Sequence, residues 1–339
     1  MPFIAHKTAA APDARPLLDS AAHLRRALDL LELRLRHQLL IVRAERGGVG
    51  RYDEFAGLVI SDDEIDQLLA DGGGTTGEAV GAGATGAAAA VPGAAALAAR
   101  LEAETRALAA DVQAALAAGR VLRLDLVRAA FELSAADQGA LLACLAPELD
   151  LRFERLFAYL QNDVARRRLC VQLLVRLFPD DADRSLPVRR LTATEGSLVG
   201  LRLLEAVRAG DGGLAGRELR VCEGVLAFLL ESDRPDPELR GVGRFRAGCP
   251  LPPRGPYLDR HREAIARLIA LGEADGRLPY TSLRAPAGCG KEDLVLALAD
   301  GLGAAVFECG AAELLAVTGD LGDWLRVMER DLRLRGAFL

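Results

Sequence analysis

A chain of 339 residues, 51% hydrophobic and 27% charged, is long enough for two or three soluble domains, each with a sizeable core. Its formal net charge of −6 gives no overall attraction to nucleic acid or acidic membranes, though a local basic patch stays open. No run of about eighteen apolar residues could span a bilayer, and the first ten residues carry His6 and Lys7 without an apolar core and cleavage site, so the reading is a cytoplasmic protein with no membrane partner.

The cysteines Cys144, Cys170, Cys222, Cys249, Cys289 and Cys309 lie at wide spacings with no C-x-x-C pair. That pattern argues against a zinc site and a disulfide framework, and reads as small buried hydrophobes. No metal site is expected.

Residues 17–46 repeat apolar side chains at alternating steps of four and three: Leu17, Ala21, Leu24, Leu28, Leu31, Leu35, then Gln38 and Val42. This predicts either a helix that pairs with another helix or an amphipathic helix lying on its own domain. Ser61, with Glu64 three residues on, is a capping box opening a short helix. Residues 71–96 are almost entirely Gly, Ala, Thr and Val, a composition that reads as a flexible linker. Helical patterning resumes at Leu97, and Gly119 offers a stop.

Residues 123–232 read as a small helix-rich domain ending in a β element, hence a winged-helix-like unit. The expected helices are 123–133, a second capped by Ser134 with Asp137 and running to Cys144, a third over 151–161, then 170–177 and 194–208, with a tight turn at 147–150. Residues 217–232 alternate and turn at Glu223-Gly224, as a hairpin or a strand leading into a helix. The stretch 233–256 holds five prolines before Pro256 and four glycines, and reads as an extended connector. From Tyr257 onward helix and strand alternate: helix 258–271, strand 280–284, a Gly-rich turn, helix 291–302, a strand over 304–310, helices 311–316 and 321–335, and a third strand beginning at Gly336. This is the start of a parallel α/β sheet.

The turn reads Ala-Pro-Ala-Gly-Cys-Gly-Lys-Glu over residues 285–292, and Lys291 is one of only two lysines in the chain. A phosphate loop uses glycines to let backbone N–H groups close on phosphates, a helix N-terminus, a lysine for the outer phosphates and a hydroxyl for magnesium. Gly288, Gly290 and Lys291 occupy the required places, with Cys289 between the glycines. Ala285 replaces the first glycine and Glu292 stands where serine or threonine would hold the metal. The candidate nucleotide-binding residues are therefore Gly288, Cys289, Gly290, Lys291 and Glu292, with ATP and Mg2+ bound weakly or not at all.

On these residues, the stretch from Tyr257 to Leu339 resembles the AAA family of ring-forming ATPases of cell-division-cycle type. The segments Gly57–Leu69, Phe131–Phe178 and Arg217–Ser232 look like the N-terminal region of bacterial AAA ATPases with a variant winged-helix domain, often encoded with contractile injection systems. The resemblance implies a mixed α/β fold: an N-terminal helical, coiled-coil-like region at 1–70, the linker at 71–96, a winged-helix-like domain at 97–232, the connector at 233–256, and an incomplete P-loop module at 257–339. It implies a degenerate Walker A loop and ATP hydrolysis by the larger assembly, a hexameric ring, whereas no Walker B, sensor or arginine-finger residues occur in this chain and no catalytic residue is assigned.

The leading functional reading is the N-terminal portion of an AAA-type remodelling or assembly factor with protein partners and homo-oligomerisation. The alternatives are a nucleotide-independent interaction or scaffold protein, and a DNA-binding winged-helix protein resting on Arg152, Arg155, Arg166, Arg167 and Arg168. Asp150, Glu154 and Asp163 are interleaved with those arginines, a pattern of solvated faces, so nucleic acid is not the expected partner.

Overall fold

The computed structural model describes residues 17–45, 62–71, 93–178, 191–193, 198–207, 213–250, 256–275, 282–284, 286, 288, 290–316 and 320–339. The chain divides into two compact units, residues 1–51 with 75–125, and residues 52–74 with 126–339. Among the described residues no helix is long and apolar enough to cross a membrane.

The first unit is built on helix α1 (Ser20–Glu45) packed against α3 (Ala94–Ala117). The buried stripe of α1 is Ser20, Leu24, Ala27, Leu31, Leu35, Gln38 and Val42, flanked by His23 and Leu39. The seven-residue repeat is therefore present, but it runs through Ala27 rather than Leu28. Ala21 is exposed, Leu28 half-buried and Leu17 46% exposed. Helix α1 begins only at Ser20, with Asp19 accepting from the Ala22 amide at 2.7 Å, so Leu17 lies outside the periodic surface. The partner that the apolar stripe needs is α3, through Leu108, Val112 and Ala115.

An Arg26–Asp111 ion pair joins the two helices. Ser20 Oγ donates to the Val121 carbonyl at 3.1 Å and accepts from the Arg123 amide at 2.9 Å. Gly119, at φ +74°, ends α3: its amide reaches the Leu116 carbonyl at 2.9 Å and the Arg120 amide reaches Ala115 at 3.0 Å, the paired bonds of a Schellman stop. Of the expected linker at 71–96, residues 72–92 lie outside the described residues, and Ala94 to Ala96 already belong to α3.

In the second unit, α2 (Asp62–Asp71) rests on α6 (Arg152–Gln161). Glu64 pairs with Arg155 at 3.0 Å and the Tyr159 hydroxyl donates to Asp62. Ser61, the expected cap of α2, lies outside the described residues. Helix α4 is Arg123–Ala130, and α5 is Ala135–Leu149 with the full capping box between Ser134 and Asp137.

The tight turn expected at 147–150 is not there. Helix α5 runs through Pro147 to Leu149: the proline forfeits one amide bond, and the burial of Leu141 to Pro147 holds the helix together across it. The chain turns instead at Asp150 and Leu151, where the Asp150 carboxylate accepts from the Arg152 amide at 2.9 Å. Helix α6 buries Phe153, Leu156, Phe157 and Leu160 and stops at Asn162 in the left-handed region. Gln161 then fastens the following loop, donating to the Arg168 carbonyl at 2.8 Å and accepting from the Cys170 amide at 3.0 Å.

Helix α7 (Val171–Leu177) matches expectation. The helix expected over 194–208 does not hold in the described part: residues 194–197 lie outside it, Leu198 to Arg202 form turns, and Leu204–Ala206 is strand β1. β1 pairs antiparallel with β2 (Leu219–Val221), Leu204 opposite Val221. The other edge of β2 meets Leu169 to Val171, with Cys170 bridged to Glu218 and the Leu219 amide on the Leu169 carbonyl at 3.0 Å. Pairing with β2 imposes an extended backbone on Leu204 to Ala206, whose own pattern reads as helical. β2 leads directly into α8 (Glu223–Leu229), which settles the strand-into-helix alternative.

The Pro- and Gly-rich stretch 233–256 contributes a 3-10 turn, Pro237–Leu239, and strand β3 (Gly243–Ala247). β3 pairs antiparallel with β4 (Ala305–Cys309), and β4 pairs in parallel with β5 (Ala337–Phe338). Helices α9 (Pro256–Asp275), α10 (Lys291–Gly301), α11 (Ala311–Leu315) and α12 (Leu321–Arg335) complete this part. Successive β4 side chains face opposite ways: Val306 packs with Leu296 and Ala299 of α10, and Phe307 with Leu239, Trp324, Val327 and Met328. The strand expected over 280–284 is absent from its described part, where Ser282 to Arg284 are exposed and irregular.

Helix α12 is bolted to its surroundings by a buried ion cluster. The guanidinium of Arg330, 2% exposed, donates to Asp236 at 2.5 Å, to Asp331 at 3.1 Å and to the Arg202 carbonyl at 3.0 Å. Arg335 adds a second cation, 3.5 Å from Asp331, and donates to the Asp233 carbonyl at 2.8 Å. Two cations thus balance two carboxylates, and the Asp236 amide donates back to Asp331 at 3.0 Å. The close packing requires Gly224: a Cβ there would lie 2.2 Å from Asp236 Oδ2.

Of the cysteines, Cys144, Cys170 and Cys222 are buried as expected, whereas Cys249 is exposed and Cys309 half-buried. Burial pushes the Cys222 thiol up to about 12, so it stays protonated and unreactive.

Replacing Arg330 by Met should lower stability by about 3–5 kcal/mol, because it leaves two buried carboxylates facing one remaining guanidinium. Chemical denaturation followed by the fluorescence of Trp324 reads this directly, and a loss under 1 kcal/mol would contradict the buried cluster.

Candidate functional site

The Gly-rich turn owes its position to the helix that follows it. Helix α10 buries Leu294, Leu296, Ala297 and Ala299, and its C-terminal end is closely approached from two directions. A Cβ at Gly301 would lie 2.3 Å from Ile269 of α9, and one at Gly248 would lie 2.3 Å from the Asp300 amide. The Cys249 amide also donates to the Leu296 carbonyl at 3.0 Å. The N-terminus of α10 is therefore carried by a helix gripped from the β3 side and from α9.

Both described glycines of the turn have positive φ, +74° at Gly288 and +84° at Gly290. Gly290 is the N-cap of α10, so Lys291 is its first residue. A Cβ at Gly288 would meet nothing within 4 Å, which makes backbone conformation, not space, the reason for glycine there. Cys289 and the departing position Ala285 lie outside the described residues. Lys291 is half-buried, and Glu292 and Asp293 are exposed in the first helical turn. The Asp293 amide bonds to the Gly290 carbonyl at 3.1 Å.

The free N–H groups of a helix start, a lysine and left-handed glycines are the elements that receive a phosphate oxygen. Two carboxylates in the same turn occupy the positive end of the helix dipole themselves and oppose an incoming anion. Asp293 was missed by the motif comparison because its position falls one residue past the eight-residue pattern; acidic enrichment in a first turn was the available signal.

The five arginines considered for phosphate contact each meet a carboxylate. Arg152 pairs with Asp150 at 2.7 Å, Arg155 with Glu64 at 3.0 Å, Arg166 with Asp163 at 3.2 Å, Arg167 with Glu154 at 3.9 Å and Arg168 with Glu148 at 2.7 Å. They do not converge on a bare basic surface. Arg155 and Arg152 also hold α2 in place, Arg152 through the Leu68 carbonyl at 3.5 Å.

Helices α5 and α6, the Leu169–Val171 edge, α7 and the β1–β2 pair, in that order, are the parts of a helix-rich unit with an antiparallel wing. The comparison with protein families gives it a name: residues 5–242 match the family described as "Winged helix domain, variant", and the chain belongs to that family. No curated protein and no solved structure matches the chain.

The Gly290→Ala variant should lose roughly 1–2 kcal/mol of stability, since an alanine at φ +84° is strained and its Cβ would also press on Asp293 at 3.3 Å. Thermal unfolding of the two proteins side by side measures the difference.

Proposed function

We propose that this chain is the N-terminal portion of an AAA-type ATPase that remodels or assembles protein complexes, with a winged-helix region ahead of a nucleotide module whose Walker A loop is degenerate. The observation that carries the reading is the turn at Gly288, Gly290 and Lys291, with two left-handed glycines opening the helix that begins at the lysine. The parallel β4–β5 pair, joined through α12, adds support, because an α/β module of this kind builds its sheet from such units. ATP with Mg2+ is the cofactor of the reading, held by Lys291 and the amides around Gly288 and Gly290, and a homo-oligomeric ring is the assembly.

A second reading, a nucleotide-independent interaction module, is favoured by Glu292 and Asp293. Each carboxylate repels a phosphate with about 1 to 4 kcal/mol at 4 Å for effective dielectric constants of about 80 to 20. Calorimetry separates the two readings. The Ala285→Gly, Glu292→Thr double variant should bind Mg-ATP measurably tighter than the parent, and adding Lys291→Ala should abolish the gain. Identical isotherms for parent and double variant would leave the scaffold reading standing.

DNA binding is disfavoured by the carboxylate partner of each of the five arginines. Duplex DNA should show no retardation with this chain in a gel shift at moderate salt, and a salt-sensitive shift would reopen that reading.

A further inference from the structure

A histidine occupies a place in the α1 seam where burial leaves one of its nitrogens without a partner. His23 is 4% exposed, and its Nδ1 makes no hydrogen bond. On the helix it lies three residues from Ser20 and three from Arg26, so the three side chains share a face. Ser20 ties α1 to the Val121 carbonyl and the Arg123 amide, and Arg26 ties it to Asp111 of α3. His23 thus sits between the two fastenings that close this end of the hairpin.

The charged groups that act on it are Arg26 on its own helix, itself engaged with Asp111 of α3, and Asp125 of α4. Burial holds the imidazole's pKa below its ordinary value of 6.5, Asp125 pulls it up by less, and Arg26 pushes it further down. The folded hairpin therefore favours neutral His23. Its contribution is complete above about pH 6.5 and is lost as the pH falls below that value, because the unfolded chain takes up the proton first.

We propose that His23 is a proton-operated latch on the α1–α3 hairpin: a proton on the imidazole puts a second cation beside Arg26 in the seam and frees the Ser20 end of α1 from α3 and from the segment entering α4. The group facing it that could oppose this is Asp125, which would instead pair with the imidazolium if the side chains had room to meet.

Amide exchange of the full chain, corrected for the intrinsic pH dependence of exchange, tests the latch. Protection of residues 20–31 and 105–117 should fall several-fold between pH 7.5 and 5.5 and recover on return. His23→Leu and His23→Gln, which cannot take the proton, should remove that change; the glutamine variant serves if leucine disturbs the seam. Constant protection of the parent, or protection that rises on acidification through the Asp125 pair, would overturn the proposal. So would an unchanged acid response in His23→Gln, which would put the sensor elsewhere.

Discussion

The guanidinium of Arg330 is the constraint around which the larger unit is organised. A charge removed from water must find compensation within a few ångströms, and here the compensation comes from three separate stretches of chain: Asp236 before β3, the neighbouring Asp331, and the carbonyl of Arg202 just ahead of β1. Each partner imposes something on its own surroundings. Asp236 caps the 3-10 turn through the Glu238 amide at 2.8 Å, and Arg202 adopts a φ of +56° that a non-glycine residue seldom takes. Glu238 in turn meets Arg202 at 3.2 Å, and its carbonyl accepts from the Trp324 indole at 3.1 Å. The wing strands and the three-stranded sheet are thus fastened to one another through α12.

Elements governed by local chemistry were legible in the amino-acid sequence. The capping box of α5, the Gly119 stop, the amphipathic stripe of α6 and the seven-residue repeat of α1 are all written within a few residues of where they act. Strands whose existence depends on a distant partner were not. β3 lies in a run dense with Pro and Gly, and its partner residue for Arg244 is Glu308, 64 positions away. β1 carries a helical-looking sequence and is extended only because β2 lies beside it. The ion cluster left one trace, since Asp331 falls on the stripe of Trp324, Val327, Met328 and Leu334, where an apolar residue is expected. What the stripe could not reveal was Asp236, whose amide meets Asp331 across 95 residues of chain.

The candidate site divides the same way. Glycine and lysine positions follow from a short motif, and Gly288 and Gly290 both have positive φ. The strand that normally feeds such a turn is absent at Ser282 to Arg284, so the α10 helix takes its support from β4, α9 and the chain beyond β3 instead. The arginines of α6 and the loop after it were visible as a basic cluster with Asp150, Glu154 and Asp163 interleaved, and these pair with Arg152, Arg167 and Arg166, whereas Glu64 of α2 and Glu148 of α5, the partners of Arg155 and Arg168, are assigned only by the tertiary structure.

The placement of α2 bears on how the chain can be made and cut. It lies in sequence between α1 and α3, which belong together, yet it docks on α6 with the other unit. The polypeptide consequently passes from the first unit to the second and back before leaving for good at the middle of α4. During synthesis α1 must wait for α3, and α2, emerging between them, stays without its surface until residues 152–161 have been added. A protease cleaving between α2 and α3 would not release a unit, since α1 would remain held by α3 and α2 by α6. No fragment with a single new terminus contains all of one unit and none of the other.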